Sequence, residues 1–144
     1  MNFLIINGPN LNFLGVRETD LYGKQSYNDL VNFILDYGQL HKHHIEIYQS
    51  NHEGEIIDLI QENYVRFDGL IINPGAYTHY SFAIYDCIKS VPLKTIEVHL
   101  TDIYSREPFR KISVIKDACI AQVSGKGFNS YIEAIDIFTK GNIK

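Results

Sequence analysis

Cysteine is scarce in this sequence, with only Cys87 and Cys119 among its 144 residues. The two are widely spaced and have aliphatic neighbours, so we expect buried free thiols and neither a disulfide nor a zinc site. Apolar runs are short as well, and none approaches the roughly 18 residues needed to span a bilayer. Residues 1–6 carry no basic side chain of the kind that begins a secretory signal peptide. We therefore expect a cytoplasmic protein without a membrane partner.

An excess of positive charge is absent too. The formal net charge is -4 at pH 7, and the 13 lysines and arginines are scattered along the chain. A nucleic-acid partner would require a basic patch or stripe, so we expect none. The chain has no linker, internal repeat or low-complexity tract, and its 45% hydrophobic content is enough for one core. Residues 1–144 are therefore predicted to form one domain.

Short apolar runs alternate with segments of helical periodicity. Several of these runs are continuous rather than alternating, as in strands that are covered on both faces. This order predicts an α/β fold, with a mostly parallel sheet and helices on both of its faces. The apolar runs lie at residues 3–6, 45–48, 70–72, 96–100 and 119–123.

The helix starts and the irregular regions follow from smaller signals. Ser50 and Glu53 suggest a capping box, and Asn129 or Ser130 is the expected cap of the last helix. Only residues 101–117 are predicted to be irregular. In such a sheet, ligands bind beyond the carboxyl ends of the strands, where the strand order reverses. Polar residues follow the strands in the segments 7–17, 50–53, 73–79, 97–102 and 124–128.

Tyr22 and Arg17 come shortly after the first predicted strand. Only about one free phenol in a thousand is ionised at neutral pH, but a nearby guanidinium favours the phenolate. Tyr22 is therefore a candidate base, with Arg17 as its stabilising cation. The alternative is a loop tyrosine that packs its ring while Arg17 stays solvated.

Glu97 and His99 are two residues apart in a predicted strand, so their side chains project from the same face. A carboxylate beside an imidazole fixes its tautomer and raises its basicity, which suits a general acid. The alternative is a partially exposed polar pair at the sheet edge.

Two further segments offer groups for binding an anion. Residues 73–79 lead into a helix, with Asn73 offering an amide and His79 a switchable donor. An ordinary strand-to-helix turn would use similar residues. Arg106 and Arg110 lie in the irregular segment, where one of them could close over a polyhydroxylated acid. The alternative is a pair of solvated surface arginines.

Metal and dinucleotide binding are not expected. His41, His43 and His44 lack a carboxylate or cysteine to complete a ligand set, and histidine at a helix end complements the helix dipole. Residues 125–130 match a dinucleotide motif only in their first two glycines and follow the fifth strand, so we interpret them as a turn.

Four blocks of the sequence, taken together, closely resemble the type II 3-dehydroquinate dehydratase family. The blocks run in order over nearly the whole chain, which makes them far more specific than any one motif. They are NGPNLNFLGVR at 7–17 with LYG at 21–23, SNHEGE at 50–55, NPGAYTH at 73–79, and EVH at 97–99 with REPFR at 106–110.

The resemblance implies a flavodoxin-like three-layer sandwich with a five-stranded parallel sheet. It implies anti elimination of water from 3-dehydroquinate to give 3-dehydroshikimate through an enolate, without a cofactor or metal. The reaction would serve the shikimate pathway of aromatic amino acid biosynthesis or, alternatively, quinate catabolism. Tyr22 matches the base and Arg17 its cation, while Asn10 matches the amide that holds a water at the enolate. His99 matches the acid, and Glu97 orients it.

Contacts to the substrate are also implied by the resemblance. Asn73 and the backbone at Leu100 and Thr101 match the groups that bind the carboxylate. His79 and Arg110 match contacts to the hydroxyls.

Arg106 is a further expected substrate contact. Asp86 corresponds to a residue that reaches the site of a neighbouring subunit, which fits a homododecamer built as a tetramer of trimers.

The chain departs from the family pattern at Thr19, Tyr85 and Asp102, where proline, arginine and asparagine are usual. The first two departures are expected to affect loop stiffness and the subunit contact. The carboxylate of Asp102 would weaken binding of an anionic substrate unless it points away. A competing hypothesis is a non-catalytic flavodoxin-like module that binds a flavin or another phosphorylated ligand at the same place.

Overall fold

The computed structural model describes residues 1–141, which contain five strands and five α-helices. The strands are β1 (Asn2–Asn7), β2 (His44–Gln49), β3 (Gly69–Asn73), β4 (Thr95–His99) and β5 (Ala121–Ser124). The helices are α1 (Thr19–Tyr22), α2 (Tyr27–Leu40), α3 (Glu53–Asn63), α4 (Phe82–Ser90) and α5 (Asn129–Thr139). All strand pairs are parallel, in the order β2-β1-β3-β4-β5, which confirms the predicted flavodoxin-like α/β fold. None of the helices in this part of the chain is both long and apolar enough to cross a membrane.

The continuous apolar pattern of the central strands reflects burial on both faces of the sheet. Every residue of β3 and β4 is buried. Along β1, Phe3 and Ile5 pack in the layer formed with α2 and α5, while Leu4 and Ile6 pack in the layer formed with α3 and α4. A fully buried aliphatic side chain contributes roughly 1.5–3 kcal/mol relative to an exposed one. The two apolar layers therefore hold the strand ends, and the loops that follow them, in fixed positions.

The strand order reverses between β1 and β3, and the loops that leave these two strands approach each other closely. The Gly8 N–H donates to the Asn73 carbonyl at 2.7 Å. A Cβ atom on Gly8 would lie 2.5 Å from the Pro74 carbonyl oxygen, so any side chain there would push the loops apart. Open α/β sheets bind their ligands at this reversal point. The two loops therefore form the first walls of the candidate site.

Two predicted helix caps are wrong. α3 begins at Glu53, and the Ser50 hydroxyl donates to the Glu55 carboxylate instead of capping the helix. α5 begins at Asn129 without a side-chain cap, because the Ser130 hydroxyl is bonded within the preceding turn. β5 also begins later than the apolar run that predicted it. These differences leave the order of elements unchanged.

The segment between β4 and β5 is irregular, as predicted. It contains short 3-10 turns at Ile103–Ser105, Pro108–Lys111 and Lys116–Ala118. Its first part passes over the carboxyl end of β4 and carries Arg106 and Arg110. This path brings both arginines to the candidate site.

Candidate active site

A cavity of about 110 Å³ opens beyond the carboxyl ends of β1, β3 and β4. Flavin and drug-sized ligands usually occupy pockets of roughly 300–1,000 Å³, so this cavity suits a smaller polar molecule. Glu97 lies directly behind the cavity and is hydrogen-bonded to His99. The cavity brings together Asn10, Arg17, Tyr22, Asn73, His79, His99, Leu100, Thr101, Arg106 and Arg110.

Tyr22 ends the short helix α1, and its phenol oxygen faces an arginine. The donor is Arg106, whose Nη1 lies 2.9 Å from the phenol oxygen. Arg17, the expected partner, instead lies with its guanidinium carbon 4.9 Å from the ring centroid and donates to Glu18 at 2.7 Å. That hydrogen bond from Arg17 holds the pKa of Glu18 below its usual range. The phenol therefore has one guanidinium at its oxygen and another beside its ring.

His99 and Glu97 form a buried pair on β4. Their relative exposures are 5% and 0%, which excludes the exposed pair at a sheet edge. His99 Nε2 donates to Glu97 Oε1 at 2.7 Å, because an ionised carboxylate can only accept. The other ring nitrogen, Nδ1, is then the one that can exchange a proton with a ligand. The carboxylate fixes this tautomer, as expected for a general acid and its orienting group.

Glu97 stays ionised because four side chains donate to it. Besides His99, the donors are Thr78, Ser113 at 2.9 Å and Gln122 at 2.8 Å. Burial alone would raise the pKa of Glu97, but the hydrogen bonds from His99, Thr78 and Ser113 outweigh burial and lower it. A buried carboxylate with this many donors supplies a fixed negative charge behind the imidazole.

Sequence reasoning missed the three donors Thr78, Ser113 and Gln122. Gln122 did leave a signal, since it is a polar residue in an otherwise apolar run, and it stands opposite Glu97 in the β4–β5 register. Thr78 lies inside the block at residues 73–79 but was not assigned a role. Ser113 left no signal, because it lies within the irregular segment at residues 101–117.

Asn73 is held in place at the end of β3. Its Oδ1 accepts from the Gly75 N–H at 3.2 Å, and its Nδ2 donates to the Tyr131 hydroxyl at 3.0 Å. Tyr131 in turn donates to Asn7 Oδ1 at 2.6 Å, inside the apolar layer. An amide nitrogen carries two hydrogens, so one N–H of Asn73 is available to a ligand.

His79 presents an acceptor to the cavity. Its Nδ1 donates to the Ile112 carbonyl at 2.7 Å, which fixes the tautomer of the neutral ring. Burial lowers the pKa of His79 below its ordinary value, and this favours the neutral form. Nε2 can then accept a hydrogen bond from a ligand hydroxyl.

Arg110 carries a buried donor that lacks an acceptor. Its Nε lies 2.9 Å from Glu107 Oε2 but is not aligned to donate to it. Burying an unpaired N–H costs free energy, so an oxygen-rich ligand in the cavity would be stabilised by accepting from this group. The Arg110 guanidinium also stacks over Phe109, with 4.8 Å between its carbon and the ring centroid.

The positive charge of the cavity comes from arginines. Arg17, Arg106 and Arg110 all line it, and a guanidinium matches a carboxylate in geometry and charge. Within residues 1–141, no group of three or more His, Cys, Asp and Glu side chains is arranged to hold a metal ion. The site is therefore suited to an anion and to proton transfer.

Two other predicted residues lie outside the cavity. Asp86 is exposed on α4 and does not line it. Asp102 also lies outside, and its Oδ1 accepts from the Tyr104 N–H at 3.0 Å. The carboxylate of Asp102 is therefore engaged by the backbone of the next turn, beside the cavity rather than in its lining.

Comparisons with known proteins agree with this arrangement. A family model described as dehydroquinase class II matches residues 1–139. The chain is 53% identical over 135 residues to 3-dehydroquinate dehydratase of Clostridium acetobutylicum, covering 94% of each chain. It is 56% identical over 133 residues to the enzyme of the same name from Caldicellulosiruptor saccharolyticus, covering 92% of each. The crystal structure of type II dehydroquinase from Butyrivibrio crossotus matches with a TM-score of 0.94 and 54% identity, over 96% of this chain and 97% of that one.

Proposed function

The chain belongs to the class II dehydroquinase family and dehydrates 3-dehydroquinate to 3-dehydroshikimate, and we propose a mechanism in which Tyr22 is the base and His99 the acid. We assign the reaction to the shikimate pathway of aromatic amino acid biosynthesis, in the cytoplasm. Quinate catabolism is the alternative, since it uses the same elimination. The reaction itself requires no cofactor, because both of its proton transfers can be performed by side chains.

One observation carries the mechanism: two proton-transfer groups line the same cationic cavity, and each has a fixed partner. Arg106 lies 2.9 Å from the Tyr22 oxygen, and Glu97 lies 2.7 Å from His99 Nε2. The guanidinium places positive charge beside the phenol, and the carboxylate places negative charge beside the imidazole. Groups whose environments favour opposite charges are suited to act as base and acid at one pH.

The first step is removal of a proton next to the ketone. The Tyr22 phenolate takes this proton, and the electron pair moves into the carbonyl to form an enolate. Asn10 holds a water that donates to the enolate oxygen, and a donor placed in advance stabilises the charge without reorganisation. Arg106 and Arg17 compensate the negative charge of the phenolate before the transfer.

The second step expels the hydroxyl group. As the enolate returns to a ketone, a carbon–carbon double bond forms and the carbon–oxygen bond breaks. His99 gives its Nδ1 proton to the departing oxygen, which leaves as water. The base and the acid act on opposite faces of the ring, which gives anti elimination.

The remaining polar groups of the cavity position the substrate. Asn73 and the backbone at Leu100 and Thr101 bind its carboxylate, and the Arg106 guanidinium adds positive charge beside them. His79 Nε2 accepts from one ring hydroxyl. Arg110, whose guanidinium lines the cavity, donates to another oxygen of the substrate.

Activity is tested by mixing the purified protein with 3-dehydroquinate. We expect ultraviolet absorbance to rise, because the product is a conjugated enone and the substrate is not. Borohydride added together with the substrate should leave the enzyme active, since no lysine forms a covalent intermediate. An absence of signal at high enzyme concentration would contradict the proposal. Stabilisation by flavin mononucleotide without turnover would instead favour the flavin-binding alternative.

We further propose that the protein assembles as a homododecamer, a tetramer of trimers, in which Asp86 reaches the site of a neighbouring subunit. Phe82 and Asp86 are four residues apart on α4 and share one face of the helix. Phe82 is 66% exposed. In the segment over the site, Phe109 is 60% exposed and Ile112 is 59% exposed. Exposed apolar side chains concentrated near a site are typical of a subunit contact.

Light scattering tests the assembly. We expect the protein to have twelve times the mass of one chain. Phe82→Glu should yield smaller species with a lower kcat, because a buried unpaired carboxylate destabilises the contact and removes Asp86 from the neighbouring site. Val65→Glu is the matched control, since Val65 is 75% exposed elsewhere on the chain. A fully active monomer would contradict the proposal.

A further inference from the structure

We propose that Gln122 is a positioning residue for the acid His99, and that the Tyr104 hydroxyl restrains the Gln122 amide through a hydrogen bond to its oxygen. The inference rests on the proposed role of His99 as the acid. It concerns two residues that neither the sequence motifs nor the mechanism above uses. Gln122 donates to the Glu97 oxygen that His99 does not take, and Tyr104 lies next to Gln122 with a side chain that is 40% exposed.

The contact between Gln122 and Glu97 follows from the register of their strands. Gln122 on β5 stands opposite Glu97 on β4, and its Nε2 donates to Glu97 Oε2 at 2.8 Å. His99 takes the other carboxylate oxygen, Oε1, at 2.7 Å. A carboxylate bonded on both oxygens cannot rotate about its last torsion, so Gln122 fixes the direction in which Glu97 accepts from the imidazole.

The second contact depends on which way the amide of Gln122 points. The Tyr104 hydroxyl donates to Gln122 Oε1 at 2.5 Å. If the amide turned over, its oxygen would face the Glu97 carboxylate and its N–H groups would face the hydroxyl. Two acceptors would then oppose each other next to a buried charge. The Glu97 carboxylate, which can only accept, therefore selects this orientation, and the hydrogen bond from the Tyr104 hydroxyl restrains the amide in it.

One turn of the chain consequently contacts both halves of the catalytic machinery. Tyr104 lies in the 3-10 turn Ile103–Ser105. Arg106, the first residue after this turn, donates to the Tyr22 oxygen at 2.9 Å. When this turn is in place, Arg106 lies at the oxygen of Tyr22, and Tyr104 restrains the amide of Gln122 that donates to Glu97. A displacement of the turn would affect both together.

The expected effect is partial, because Gln122 is one of several groups around Glu97. Thr78 and Ser113 also donate to the carboxylate. The titratable side chains that face Glu97 are His99, His79 and Cys119. Burial raises the pKa of the Cys119 thiol far above its usual value, so the thiol stays neutral and does not compete for the role of Gln122.

The test begins with Gln122→Met, which keeps the volume of the side chain and removes its donor. We expect kcat to fall about tenfold, the loss typical of one hydrogen bond to a charged group, with little change in KM. The alkaline limb of the kcat profile should move to higher pH, because a carboxylate with one donor fewer holds the imidazolium proton more tightly. The ¹⁵N signal of His99 Nε2 should also shift, and this readout requires no turnover.

Tyr104→Phe tests the role of the Tyr104 hydroxyl, which donates to the Gln122 amide oxygen. We expect a smaller loss in the same direction, and the double variant with Gln122→Met should lose no more than Gln122→Met alone, since the two residues act in series. Tyr48→Phe is the matched control, because Tyr48 also donates to a carboxylate, Glu46, at 3.0 Å, but on β2 outside the cavity. It should leave kcat unchanged.

The inference is overturned if Gln122→Met keeps the wild-type kcat profile and the wild-type His99 signal. It is also overturned if Tyr104→Phe and Gln122→Met lose activity additively. A failure of the proposed function would look different, because the wild-type protein would then be inactive or the His99 variants would keep their turnover. In that case the ¹⁵N signal still decides whether Gln122 positions the imidazole.

Discussion

Tyr22→Phe is expected to lower kcat by about 10³-fold or more while 3-dehydroquinate still binds. Phenylalanine keeps the ring that packs beside Arg17, but it has no oxygen to take the proton. General bases typically contribute about 10²–10⁴-fold to a rate. The rate of enone formation gives kcat, and calorimetry gives the binding constant of the substrate with the inactive variant.

The matched control is Tyr64→Phe, which removes a tyrosine hydroxyl from the apolar layer on the other face of the sheet. Its activity should stay at the wild-type level. If Tyr22→Phe retained a tenth of the wild-type kcat, a different residue would be the base. If it lost substrate binding as well as turnover, Tyr22 would act mainly as a binding group.

The contact between Arg106 and Tyr22 explains why the base depends on the irregular segment. The guanidinium at the phenol oxygen comes from the 3-10 turn after β4, not from the loop that carries Tyr22. The positive charge at the phenol oxygen therefore depends on the position of this turn over the cavity. Binding of an anionic substrate to the same arginines would couple closure of the segment to activation of the base.

The fold could be predicted from the sequence because apolar runs and helical periodicity are local signals. Continuous apolar runs marked the buried strands, and β3 and β4 are indeed buried along their whole length. The rule that ligands bind beyond the carboxyl ends of parallel strands then located the cavity. The pair Glu97 and His99 was found in the same way, since the period of a strand places residues two apart on one face.

The contacts that sequence reasoning missed are made between distant parts of the chain. Ser113 and Gln122 are 16 and 25 residues from Glu97 in the sequence, so spacing could not indicate that they donate to it. Arg17 was assigned to Tyr22 because both lie on the first loop, whereas Arg106 reaches the phenol through an irregular segment. Periodicity carries no information about where such a segment lies, so the contact from Arg106 could not be predicted.

His99→Asn should separate the two halves of the reaction. Asparagine can still donate to Glu97, but it cannot supply a proton to the departing hydroxyl. We expect kcat for elimination to fall by about 10²–10⁴-fold, the usual contribution of a general acid. Enolate formation depends on Tyr22 and the arginines, so it should continue. In deuterated water, the substrate should therefore exchange its proton next to the ketone faster than product forms, as followed by proton NMR.

This uncoupling distinguishes an acid from a structural histidine. His44→Asn is the matched control, because His44 and Glu46 form a second histidine–carboxylate pair two residues apart on a strand, with 3.0 Å between their atoms. That pair lies on β2 at the surface, so its loss should leave both exchange and elimination at the wild-type rate. If His99→Asn abolished exchange together with elimination, the imidazole would be needed to form the enolate. Since Tyr22→Phe is expected to lose both activities, the pair of variants assigns each proton transfer to one side chain.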